Sequence, residues 1–195
     1  MRFFASSHQL HQLAPRSLVL VLLLLLGVAG QCVSGILMHH RGPGWTLTSV
    51  ATHYRGQTVA PETLDDAALA QALSGAPGTV DVPAKTFDAL LDVAHMHLVW
   101  MPLLVFLVAH LFAMTPIGSG RWGGILGYGT LLAALTDIVT PFLVRYQGAP
   151  WAAAKLGAFI MLETGMLAMI AGILWTGCRA LRQLRATAYS NSLSS

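Results

Sequence analysis

The sequence predicts an all-α, polytopic membrane protein: a four-transmembrane-helix antiparallel bundle with one polar loop that carries a short helix. Three observations carry this reading. Of the 195 residues, 55% are hydrophobic and only 10% are charged. With a mean hydropathy of +0.64, that composition belongs to an integral membrane protein and not to a soluble domain. Four apolar runs reach the roughly 20 residues that a bilayer crossing needs. Trp122, Tyr146, Trp151 and Trp175 stand at the ends of those runs, where an interfacial aromatic belt belongs. The lipid bilayer is therefore the first partner. The net charge of +3 lies in basic residues scattered over run ends, so no nucleic-acid surface is indicated.

In chain order, residues 1–16 form a short polar segment. The first span, about 17–38, is dominated by LVLVLLLLLGVAG. Val28-Ala29-Gly30 looks like a signal-peptide cleavage site, but the apolar run continues through Val33, Gly35, Ile36, Leu37 and Met38, so a retained span is expected. Gln31 before Cys32 argues against a lipoprotein box. Residues 39–89 are the polar loop. HHRGPGWTLTSVATHYRGQ reads as an ordered loop with Trp45 and Tyr54 at the interface, and PETLDDAALAQALSG as a short helix opened by Pro61 and ended by Gly75. A helix beginning near Pro83 feeds the second span, about 90–114. The third span, 122–146, and the fourth, 151–178, follow tight turns at TPIGSGR and QGAPW, and residues 179–195 form a basic tail. Gly123 with Gly127, Ala153 with Gly157, and Ala168 with Gly172 set small residues four apart, a spacing that lets helices approach closely. Cys32 and Cys178 fall near opposite faces of the membrane, too far apart for a disulfide.

Arg2, Arg16, Arg121, Arg179, Arg182 and Arg185 share one side and crowd the span ends. Arg41, Arg55, Lys85, Arg145 and Lys155 share the other, three of them spread along the loop. The first set places both termini in the cytoplasm. With a rise of about 1.5 Å per residue, His95 and His97 lie about 7 to 10 Å to the outer side of the midplane, and Asp137 about 5 Å. Glu163 sits close to mid-span, His39 and His40 close the first span on the outer side, and Arg145 and Lys155 cap the outer end. The inner half is almost bare of polar groups except for His110.

Ionisable groups at membrane depth are costly and usually face a bundle interior, so these residues are the candidate site. His95 and His97 are about 200° apart on a helix, so one faces the bundle and the other a loop or a different neighbour. A haem b iron is expected to be held by His39 or His40 together with His95 or His97, the latter two also being the candidate metal ligands. Asp137, Glu163, His110 and Arg145 form the candidate buried polar network, with His95 or His97 as the natural partner of Asp137. His95 and His110 are about 22 Å apart, but two haems would need a second helix with matching histidines, and the last two spans have none. Pro102 and Pro141 withhold donors from the carbonyls of Leu98 and Asp137, and such kinks can admit a cofactor, a quinone head or water.

The run Tyr54-Arg55-Gly56, Lys85, Leu90, Leu91, His95, His97, Met101, His110, Thr115 and Asp137 resembles a group of small bacterial four-span membrane proteins. That resemblance implies an architecture in a bacterial inner membrane and no activity. The histidines are more loosely similar to those of b-type cytochrome membrane anchors, from which this chain departs on its last two spans. Three readings follow. One is a redox membrane subunit with one b haem or a quinone near the periplasmic side, serving a periplasmic or membrane redox partner. Another is a non-catalytic accessory or assembly protein whose buried polar network fixes the bundle. The third is a proton or metal-ion carrier using His97, Asp137 and Glu163. No phosphate loop, nucleophile elbow or zinc-protease helix is present, and nothing marks a catalytic residue.

Overall fold

The structure, a computed structural model, describes residues 14–59 and 80–193. Four of its helices are long and apolar enough to cross a membrane. These are α1 (Pro15–Arg41), α3 (Phe87–Ala113), α4 (Arg121–Gln147) and α5 (Trp151–Leu193), with the short α2 (Leu47–Arg55) after the first. Two three-residue strands, β1 (Gln57–Val59) and β2 (Val80–Val82), pair antiparallel at the base of the polar loop. The helix expected over residues 61–75 lies outside the described residues. The apolar part of α5 ends at Ala180, and the helix itself continues into the basic tail.

The starts of two elements follow from local chemistry. Pro83 was the expected start of the helix leading into α3. The helix begins instead at Phe87, because Thr86 caps it by accepting from the Ala89 N–H at 3.2 Å. The segment expected as loop contains α2. Thr46 and Ser49 form a reciprocal capping box there, and Gly56, at φ 72°, ends the helix. Both Pro102 and Pro141 lie inside continuous helices.

The bundle is built around α5. It packs against α1, α3 and α4, and α2 seats on the α4 and α5 ends. One narrow stripe of α1 is buried: Leu18, Leu25, Val28, Cys32 and His39, at steps of seven, three, four and seven. Lining the facing side of α5 are Met166, Met169, Ile170 and Ile173, with Val105, Val108 and Phe112 joining from α3. At the α2 end a second, smaller core gathers Val50, Tyr54, Leu90, Val144 and Ala152. Lys85 ties this end together: its N–H donates to the Tyr54 carbonyl at 3.1 Å, and its carbonyl accepts from Arg145 Nε at 3.0 Å.

Of the small-residue pairs, Gly127 lies against Ala109, and Gly172 lies beneath the Phe112 ring, while Gly157 has nothing nearby. A closer approach falls at Gly165, where a Cβ would sit 3.1 Å from both Thr130 Cβ and Cγ2. Cys32 and Cys178 are both free thiols. Gly165→Ala, which forces α4 and α5 apart, should therefore cost about 1–3 kcal/mol. Gly157→Ala, which meets open space in a helix, should be neutral or stabilising by up to about 1 kcal/mol. Thermal unfolding in detergent, with the two variants side by side, checks the contrast.

Candidate functional site

The polar groups that the fold assembles lie in the half of the bundle toward α2, at the junction of α1, α4 and α5. Lys155 is the centre. Its Nζ lies 2.5 Å from Asp137 Oδ1, and the two side chains are only 7% and 8% exposed. The same ammonium lies 3.4 Å from the Asp137 carbonyl oxygen. That carbonyl has lost its usual helical donor because residue 141 is proline. Thr140 Oγ1 shares it at 3.4 Å. One lysine thus satisfies a carboxylate and a carbonyl that the neighbouring proline set free.

One turn further along α5, Phe159 stacks on His39 of α1 at 3.9 Å between ring centres, and Trp45 leans on both rings. Another turn along, Glu163 is in hydrogen-bond contact with the Cys32 thiol, and its Oε1 occupies the space a Cβ on Gly35 would need. Lys155, Phe159 and Glu163 recur at intervals of four, and Cys32, Gly35 and His39 answer at three and four, so both sets lie on facing stripes. Two buried polar atoms in this seam have no hydrogen-bond partner: His39 Nε2 and Glu163 Oε2. Tyr54 and His53 of α2 close the end. Burial, and then the charge of Asp137, raise the Tyr54 phenol above its ordinary range. Burial, followed by the nearby Lys85, His39 and Lys155, pushes His53 from 6.5 down to about 4.

Of the residues singled out in the sequence, the seam gathers His39, Asp137 and Glu163. It leaves the others out. His95 and His97 are both exposed on α3, and His97 Nδ1 lies 2.7 Å from its own Val93 carbonyl. Asp137 takes Lys155 in place of either. His40 is exposed and accepts from Trp45 Nε1 at 3.0 Å. Arg145 serves Lys85 at the bundle end and covers Tyr146, and His110 is exposed and stacked on Phe106. The two histidine pairs expected about one iron are therefore not brought together: α5 and the α1–α2 connection enclose His39, whereas His95 and His97 lie on the flanks of α3. Among the described residues, no three His, Cys, Asp or Glu side chains form a set that could hold a metal ion.

The residue the sequence reading passed over is Lys155, placed at a helix end as a cap. The signal for it was present: Lys155 starts the stripe that continues through Phe159, Leu162, Met166, Met169 and Ile173, all buried.

Four apolar crossings around a buried charged seam define a multi-pass helical membrane protein. Comparison agrees and narrows the class. The chain belongs to the Aq_1264_TM family, a transmembrane helical domain whose model matches residues 44–184. No curated protein and no solved structure matches the chain.

Two measurements probe the seam. Lys155→Met leaves the Asp137 carboxylate buried without a cation and should cost about 3–5 kcal/mol, while the double variant Lys155→Met with Asp137→Leu should recover most of that loss. Reversible unfolding of the single and double variants reads the difference. The docking of α2 should depend on pH through His53. Below the ordinary 6.5 the undocked chain takes up a proton that the docked helix refuses until about 4. Stability of this end therefore falls as pH drops through that window and is flat above it. Trp45 fluorescence should follow the change, and His53→Gln should abolish it.

Proposed function

We propose that the protein is a non-catalytic membrane component, an accessory or assembly subunit, whose buried polar seam sets how its helices pair. The observation that carries this is the Lys155–Asp137 pair. Both charges are spent on each other, and the lysine also fills the carbonyl that Pro141 frees, so neither group stands ready for a substrate. The half of the bundle away from α2 is packed with Leu18, Leu25, Val108, Phe112, Met169 and Ile173. A relay of ionisable groups would have to pass through that apolar core, which weighs against the carrier reading. Inside a membrane, where apolar side chains gain little by leaving lipid, a satisfied polar pair is an effective way to specify one helix arrangement.

The redox reading keeps one supporting observation: the buried, unpartnered Nε2 of His39, on a ring stacked on Phe159 with Trp45 tilted against it. Such a nitrogen suits a quinone oxygen or a haem iron approached from the α1–α5 seam, without help from His95 or His97. Protein purified from its own membranes separates the readings. The accessory reading expects no reduced-minus-oxidised absorbance change and no proton flux in liposomes. An absorbance change lost in His39→Ala would replace it with the redox reading, and flux lost in Asp137→Asn with the carrier.

A further inference from the structure

Where α2 meets the α4–α5 turn, the fold leaves an open cleft of about 380 Å³ whose walls include Leu47, Thr48, Thr52, Arg55 and Ala149. That volume is at the small end of ligand sites. Thr48, Thr52 and Arg55 follow at steps of four and three, on the side of α2 turned away from the buried Val50 and Tyr54. Arg55 is exposed and is the one charged residue lining the cleft among the described residues. Among them it also has no ion-pair partner. Its guanidinium lies beside Gly148, where a Cβ would sit 3.6 Å from Nη1.

The two spans beside the cleft set its level. The apolar crossing of α4 ends at Gln147 and that of α5 begins at Trp151, so residues 148–150 turn at the headgroup level. Tyr146, Trp151 and Trp45 are exposed at this end, as an interfacial belt requires. Below the turn a second hollow runs along α4, lined by Leu135, Thr136, Val139, Thr140, Leu143 and Trp151. Both threonines donate their hydroxyls to carbonyls of their own helix, which leaves this wall apolar. From Leu135 to Leu143 it covers about 12 Å of the helix. Ala149 lines the upper hollow and Trp151 the lower, so one turn joins them.

We infer that the two hollows hold one anionic phospholipid, its phosphate on the Arg55 guanidinium and an acyl chain along α4 below Trp151. A guanidinium matches phosphate oxygens with two parallel N–H bonds, and a cation at the membrane surface attracts anionic headgroups. The described lining holds no carboxylate to receive the cationic end of a zwitterionic headgroup. Free phosphate would leave the apolar hollow unfilled. The inference does not depend on the accessory reading and would stand beside either rival.

Photolabelling of the full chain in phosphatidylcholine nanodiscs tests it, the probe being phosphatidylglycerol with a diazirine on its acyl chain. Label should map to α4 between Leu135 and Leu143. Unlabelled phosphatidylglycerol should compete it away, whereas equal amounts of phosphatidylethanolamine or inorganic phosphate should not. Arg55→Gln should cut labelling about fivefold, the worth of one cation near the surface, and Arg55→Lys, which keeps the charge, should retain most of it. Ala149→Glu sets a carboxylate in the cleft and should abolish labelling. Arg41→Gln removes another exposed charge at the same end and should change nothing. Equal labelling by a phosphatidylcholine probe, competition by inorganic phosphate, full labelling of Arg55→Gln, or an equal loss in Arg41→Gln would each overturn the assignment.

Discussion

Lys155 reaching across to both ends of Asp137 is the interaction on which the rest of this bundle depends. It joins α4 to α5 in one register, because the ammonium must lie level with a carboxylate and with the particular carbonyl that Pro141 leaves unbonded. A shift of either helix by one residue would turn one of these groups away. With that pair in place, the stripe on α5 that begins at Lys155 presents Phe159 and Glu163 to α1, which answers with His39, Gly35 and Cys32. The small core around Tyr54 then closes over the end, held by backbone bonds on both sides of Lys85.

A desolvated ion pair is a weak source of net stability, since removing two charges from water costs about as much as their attraction returns. Its larger effect is on specificity. Apolar helices in lipid have many nearly equivalent ways to pack, and close approaches such as Gly165 against Thr130 discriminate among them only by shape. A buried lysine that accepts one neighbour and rejects others adds a penalty of several kcal/mol to every wrong arrangement. This explains the asymmetry between the two halves. The end with the polar seam specifies the pairing, and the apolar end fills in behind it with Met166, Met169, Ile170 and Ile173.

The four crossings were legible because hydropathy sums over a local window, and their ends fell within a few residues of expectation. The short α2 was not legible. Its sequence is rich in Thr, Ser and His, and its helix start depends on a Thr46–Ser49 box with serine where the usual signature has glutamate or glutamine. The site was legible in part. Asp137, Glu163 and His39 stood out as costly groups at membrane depth, and all three are in the seam. The His-x-His element drew attention for the same reason but faces away from it, because burying Leu90, Val105 and Val108 rotates α3 so that both histidines point outward. Lys155 was discounted because distance from a helix end does not show which way a long side chain turns.

From the order of residues alone came the number of crossings, the aromatic belts, and the presence of ionisable groups that lipid would not tolerate. These follow from composition and spacing within one segment. Which imidazole meets which carboxylate was decided only by the tertiary structure. That outcome rests on how each helix is rotated about its axis and on which helices are neighbours, and both are settled by contacts between segments far apart in the chain.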